Sequence, residues 1–413
     1  MIQHRPETMG ERRRLILRGI AAGGLAGTFT SWSRPTWAEG HIDLPFEGGQ
    51  RDLTDAFPQK GEMILLRTRP PLLETCFPVF DRGVFTPNDQ FYVRWHLANI
   101  PTQIDGAAFR LNVHGAVNRN LSLSLTDLLT KFPRVELAAV NQCSGNSRGF
   151  FAPRVAGAQW ANGGMGNALW TGVRLRDILD RAGVKAGSVA VRLRGLDTGV
   201  IPATPDFMKS LHVDHARDGE VIVAYAMNGQ PLPMVNGFPT RLIVPGWYST
   251  YWVKMLSDIE VLAQPDDNFW MTKAYLVPDT PHASMEPGQT GVPMVPISRL
   301  VPRSFITSLS DDQHIPAERP LTVRGIAFGG DAGVRDVRVS TDGGSTWSPA
   351  RLGHDHGKYS FRQWEIRLNP KRGPTVLQVK ATNTSGVVQP AMANWNPGGF
   401  MRNVIESMTV VGA

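Results

Sequence analysis

Val337-Arg338-Val339-Ser340-Thr341-Asp342-Gly343-Gly344-Ser345-Thr346-Trp347 brings alternating apolar and polar residues to an Asp342-Gly343 pair. A period of two puts one set of side chains on a buried face, and Asp-Gly suits the positive φ of a tight turn. The stretch therefore reads as a β-hairpin. The same alternation extends outward, to Leu321 and Val323 before it, and to Trp364, Ile366, Leu368, Leu377, Val379 and Ala381 after it. Several short strands at this spacing predict an immunoglobulin-like all-β sandwich over residues 320–413. Trp347 and Trp364 are expected in its core.

Upstream the pattern breaks. Prolines recur through residues 266–319 and periodicity fades, which predicts a connecting segment laid over the surface. Before it, residues 39–265 mix element types. Residues 91–96, 189–193, 221–226 and 241–244 have strand composition. Ser124 is placed to cap a short helix, and Leu175 to Ala182 has helical spacing that ends at Gly183. The expectation is an α+β domain rather than regular βαβ winding. At 413 residues, the chain has the length for two domains.

Residues 1–38 stand apart. Arg12, Arg13 and Arg14 precede an apolar run over 15–29, then Pro35 and a small-residue cut after Ala38. That order is a cleavable export signal, and consecutive arginines ahead of Leu15 resemble the twin-arginine type. The mature chain is expected in the periplasm without a membrane span, because the apolar run is too short and glycine-rich to cross a bilayer. Removing 1–38 takes away six arginines and two glutamates, leaving 37 basic against 34 acidic residues, a net +3. So small an excess is no nucleic-acid footprint. The cysteines are Cys76 and Cys143. Two do not make a disulfide scaffold, and neither opens a C-x-x-C-H motif, so no haem is expected in this chain. Cys76, between Thr75 and Phe77, reads as a buried small hydrophobe.

Cys143 has a different setting. Asn141-Gln142-Cys143-Ser144-Gly145-Asn146-Ser147-Arg148 is small and polar. Small residues let a ligand approach the backbone, and a cation beside a thiol favours the thiolate, the form that binds soft metals. Local chemistry alone leaves a nucleophile, a metal ligand and an inert turn cysteine open.

This stretch resembles the sulfite oxidase family of molybdopterin enzymes, and other segments resemble it too. Tyr92-Val93-Arg94-Trp95-His96 is similar to the family's aromatic-x-Arg-x-His segment. Gly237-Phe238-Pro239, Arg241 and Val244-Pro245-Gly246 are similar to its Gly-Phe-Pro…Arg…Val-Pro-Gly run, with Val253-Lys254 following. Trp170-Thr171-Gly172-Val173-Arg174-Leu175 resembles its turn into a helix. Thr341-Asp342-Gly343-Gly344 and Asn394-Trp395-Asn396-Pro397-Gly398-Gly399 resemble its C-terminal β-domain. Within the family, the likeness is greatest to the stand-alone bacterial sulfite dehydrogenases.

The resemblance implies one molybdenum–molybdopterin cofactor per chain, with Cys143 as the thiolate ligand. It implies that Arg94 and Arg148 face a small oxyanion, a task that suits arginine's forked donors. Tyr275, in Lys273-Ala274-Tyr275, would reach the metal's oxygen ligands, Trp160 would form a pocket wall, and His96 would touch the pterin phosphate or tune Arg94 and Tyr275. Tyr92, Asp206, Asn236, Arg241, Ser249 and Lys254 match candidates for holding the pterin and its phosphate. Asn236 departs from the histidine of vertebrate relatives, so that contact carries no proton-linked charge. The implied reaction is oxidation of sulfite to sulfate, with electrons passed singly to a c-type cytochrome, in a hetero- or homodimer. Sulfane-sulfur dehydrogenation and sulfoxide reduction are the alternatives within the family. An exported anion-binding module without metal is the alternative outside it.

Overall fold

The computed structural model describes residues 40–413, so the export signal expected over 1–38 lies outside the described residues. Strands dominate. The first domain holds three sheets, and the one that matters most for the site runs Val135–Gln142, Met165–Arg174, Ile222–Met227, with Arg241–Ile243 also paired to the last. A second sheet orders Met208–His212, Ala190–Arg194, Asp258–Leu262, Arg110–Gly115 and Leu121–Ser124, and its one parallel pairing joins Asp258–Leu262 to Arg110–Gly115. An N-terminal meander ends in the two-residue strand Val93–Arg94 against Leu72–Glu74. Residues 91–96 are thus strand only at their centre.

The helices are short and begin and end where their caps dictate. Leu125–Lys131 opens on a capping box, in which Ser124 Oγ accepts from Asp127 N and Asp127 Oδ2 accepts from Ser124 N. Leu175–Ala182 stops at Gly183, whose φ of 73° is left-handed. Among the described residues, no helix is long and apolar enough to cross a membrane.

The second domain is a β-sandwich. One sheet runs Arg303–Ile306, Leu321–Phe328, Arg362–Leu368, Arg351–Leu352; the other runs Gln313–Ile315, Glu406–Gly412, Gly373–Asn383, Val334–Ser340, Ser348–Pro349. Val337, Val339, Trp364, Leu377, Val379 and Ala381 meet between the sheets. Three expectations need correction. The sandwich starts inside the segment read as a connector, because Arg303–Ile306 pairs with Leu321–Phe328, and four residues beside Pro302 are too few to show a period. Trp347 is only half-buried, folded back on its own turn with its Nε1 donating to Gly344 O and the Lys380 ammonium 3.8 Å above its ring. Cys76 is half-buried rather than buried, and both cysteines are free.

The two domains share a core. Phe80, Val140 and Met165 from the first pack with Phe305, Ile326, Phe328 and Phe361 from the sandwich. Polar ties ring this cluster: Asp81 accepts from Thr307 Oγ1 at 2.9 Å and Arg324 Nη2 at 2.6 Å, and Asn167 Nδ2 donates to Ser360 Oγ at 2.8 Å. Val140 lies on the strand that ends at Cys143, so the interface backs the site. Phe361→Ala should therefore destabilise the protein by about 3–5 kcal/mol in chemical denaturation. Both domains should still unfold in a single transition.

Candidate functional site

Six segments converge on one pocket. Val135–Gln142 delivers Cys143 and Ser144 at its end, and Val93–Arg94 delivers Arg94 with Tyr92 and His96 on either side. The turn Met234–Asn236 ends in Asn236, and Arg241 opens its strand and bridges to Lys254. The turn Ser249–Tyr251 supplies Ser249 and Thr250, and Tyr275 follows the short helix Phe269–Thr272. Gly237 makes the crossing near Lys254 feasible. Its φ is 113°, and a Cβ there would sit 3.1 Å from that of Lys254.

A closed hydrogen-bond circuit fixes one wall. Tyr92 Oη donates to Asn141 Oδ1 at 2.7 Å, and Arg241 Nη2 donates to the same oxygen at 3.0 Å. Arg241 Nη1 donates to Asn236 O at 3.1 Å, and Asn236 Nδ2 donates to Tyr92 O at 3.1 Å. On the opposite wall, His96 Nε2 lies 2.6 Å from Tyr275 Oη, and its ring stacks on Phe207 at 3.6 Å. Tyr275 has a φ of 60° and stacks on Phe400, a residue of the second domain. A bulky residue held left-handed marks a backbone strained into place by its surroundings.

The charge balance is positive. Burial, aided by the Arg241 charge and opposed by Asp197, lowers Lys254 to about 7. Burial lowers Arg241 to about 10. Burial, then the charges of Arg94, Lys254 and Lys209, holds His96 far below its usual value, so the imidazole facing Tyr275 is neutral. Desolvation raises the Tyr275 phenol, with Arg94 pulling the other way. Arg94 Nη1, Arg241 Nε, Asn236 Oδ1, Ser144 Oγ and Thr250 Oγ1 are buried with no partner in the protein. Native proteins seldom leave such atoms unpaired, so this pocket is built to bond something that is not polypeptide.

Comparison with known proteins identifies the pocket's kind. Residues 96–270 match a family model described as an oxidoreductase molybdopterin binding domain, and residues 295–410 match a Mo-co oxidoreductase dimerisation domain. The chain belongs to the sulfite oxidase family of molybdopterin oxidoreductases. It is 33% identical to mitochondrial sulfite oxidase of Mus musculus and 31% identical to a nitrate reductase of Hordeum vulgare. Those matches cover 78% and 79% of this chain, and 60% and 39% of the relatives. The chain thus spans well under two thirds of the nitrate reductase, and about 60% of the sulfite oxidase. Its fold is also that of the sulfane dehydrogenase SoxCD of Paracoccus pantotrophus. The TM-score there is 0.70 at 22% identity, over 94% of this chain and 96% of that one.

Family membership implies a molybdenum–molybdopterin cofactor, and the residues present fit it. Among the described residues no three His, Cys, Asp or Glu side chains could cage a bare ion, so a metal held by Cys143 alone must bring further ligands, as a dithiolene pterin does. Arg241, Lys254, Asn236, Ser249 and Thr250 would hold the pterin and its phosphate, and the unpaired atoms of Arg241, Asn236 and Thr250 suit that task.

Nine residues singled out from the sequence line the pocket together: Tyr92, Arg94, His96, Cys143, Asn236, Arg241, Ser249, Lys254 and Tyr275. Three do not. Arg148 is turned onto backbone, donating to Gly398 O at 2.8 and 3.1 Å and to Ala158 O at 3.2 Å, over the ring of Phe400. Trp160 is fully buried behind the lining, edge-on to Tyr92. Asp206 points at Arg194, 3.3 Å away, and Asp197 is the buried carboxyl near Lys254.

Sequence reading also missed Lys209, which is completely buried with its ammonium 4.7 Å from the Tyr251 ring and 5.6 Å from the Tyr275 ring. It donates to Trp270 O at 2.5 Å. Those partners are distant in sequence, so nothing local announces it. Burial lowers Lys209 from 10.5 to about 7, partly offset by Asp266. A folded-state value below the unfolded one means that the unfolded chain binds more protons between pH 7 and 10.5, so this lysine makes stability rise with pH across that window. Lys209→Met should accordingly gain stability relative to the native protein at pH 6. That relative gain should fade by pH 10.5, as melting temperatures at the two pH values would record.

Proposed function

We propose that this protein oxidises sulfite to sulfate at a molybdenum centre and passes the electrons singly to a c-type cytochrome subunit or acceptor. The observation that supports this most is the pocket itself, in which Arg94, Arg241 and Lys254 surround a single thiol, Cys143, and a neutral histidine–tyrosine pair. Bound molybdenum would supply oxygen-atom transfer and store two electrons. The chain's own residues do the rest. Arg94, with a buried unpaired Nη1, offers a fixed donor to a small oxyanion. Tyr275 Oη, 2.6 Å from His96 Nε2, is held for hydrogen bonding to the substrate's oxygens. A neutral imidazole adds no further positive charge beside Arg94 and can accept a hydrogen bond from that hydroxyl.

The sulfite oxidases among the relatives favour sulfite as substrate. Arg12-Arg13-Arg14 and the cleavable pattern that follows support export to the periplasm by the twin-arginine route. The dimerisation-type sandwich supports an oligomer, either of two such chains or of one with a haem subunit.

The deciding experiment measures molybdenum per chain together with sulfite-dependent reduction of cytochrome c and of ferricyanide. Nitrate and thiosulfate are tested in parallel. Stoichiometric metal with sulfite turnover supports the proposal; stoichiometric metal with turnover on another substrate only would sink it. Arg94→Met should raise the sulfite KM by roughly 100-fold with a smaller effect on kcat, the loss expected of a charge-assisted contact. Cys143→Ser should stay folded and lose all turnover.

A further inference from the structure

Arg303 opens the sandwich strand Arg303–Ile306, and its side chain is completely buried. One nitrogen, Nη2, makes all its polar contacts: Glu406 Oε1 at 2.7 Å, Ser147 Oγ at 3.0 Å and Asn162 Oδ1 at 3.4 Å. Nε and Nη1 have no partner, and burial lowers the guanidinium despite Glu406. A buried charge so incompletely paired is a poor stabiliser, and an apolar side chain of like volume often does as well or better. Its role is better sought in what it touches.

Ser147 belongs to the turn that begins at Cys143. Asn146 N donates to Cys143 O at 3.0 Å, and Ser147 N donates to Ala161 O at 2.7 Å. Ser147 has a φ of 71°, left-handed without being glycine, and its hydroxyl donates to Asn162 Oδ1 at 2.5 Å. The sandwich holds this turn at two further points, Met401 N to Ser144 O at 3.2 Å and Arg148 to Gly398 O. Arg303 anchors this turn by its side chain and is not itself part of the pocket lining, so it can be substituted without changing a lining residue.

We propose that Arg303 is a positioning residue. By reaching across the domain interface to Ser147, it fixes the turn that presents Cys143, so the sandwich helps to build the metal-ligand geometry besides pairing subunits. The inference rests on the reading of Cys143 as the ligand.

The test is the rate of Cys143 alkylation by iodoacetamide, followed by mass spectrometry on the full chain prepared without cofactor. Cys76 serves as the internal reference. Arg303→Met should speed Cys143 modification about tenfold, the size of one lost charge-assisted hydrogen bond, with Cys76 unchanged and the melting temperature equal or higher. Ser147→Ala removes the acceptor while keeping the guanidinium, and should give the same rise even if Arg303→Met does not fold. An unchanged Cys143 rate in the folded variants, or equal acceleration at both cysteines, overturns the proposal. The ligand reading is judged separately, on the native chain: loading with molybdenum cofactor should protect Cys143 from alkylation, and absence of protection would overturn that reading whatever the variants do.

Discussion

Mutual repulsion among Arg94, Arg241 and Lys254 is the constraint around which the rest of the molecule is arranged. Like charges in a half-dry pocket move apart unless something stiffer than a side chain prevents it. Here the stiffness comes from buried hydrogen bonds and ring packing. Arg241 is held by Asn141 Oδ1 and Asn236 O, and the ring circuit through Tyr92 leaves it one orientation. Lys254 lies over the Trp95 ring at 4.6 Å, where the aromatic face offsets part of its cost. Each cation arrives from a different strand or turn, so their spacing is a property of the fold rather than of any one segment. An anionic ligand relieves the repulsion, which is why the unpaired donors face inward.

The sandwich is part of that stiffness. Its phenylalanines share a core with Val140 and Met165, on the two strands that carry and flank Cys143. Phe400 extends the same support to the far wall by stacking on Tyr275. A module named for pairing subunits therefore also backs the site from behind its lining.

Much of this was legible in the sequence, for reasons that differ by residue. The hairpin at Asp342-Gly343 and the helix ending at Gly183 were readable because period and turn chemistry are local. The nine lining residues were readable through the family's motifs, which keep short runs such as Tyr92 to His96 together. What escaped depends on distance in the chain. Lys209 owes its burial to Tyr251, Trp270 and Tyr275, and no period in Met208–His212 reveals them. Asp206, matched by motif to the pterin, pairs with Arg194 instead, and Asp197, the carboxyl near Lys254, carries no local signal of that placement. Arg148 shows the opposite limit: the motif placed it beside the turn, but its direction is set by Gly398, 250 residues away. Trp347 was assigned to the core on its apolar bulk, and the hairpin's own curl carries it outside.

The contacts of residues 144–148 with Gly398, Met401 and Arg303 bear on biosynthesis. A chain made through Tyr275 contains every lining residue, yet the turn bearing Cys143 still lacks Arg303, Gly398 and Met401 as anchors. Chain order alone therefore puts completion of the Cys143 turn after synthesis of all the residues that line the pocket.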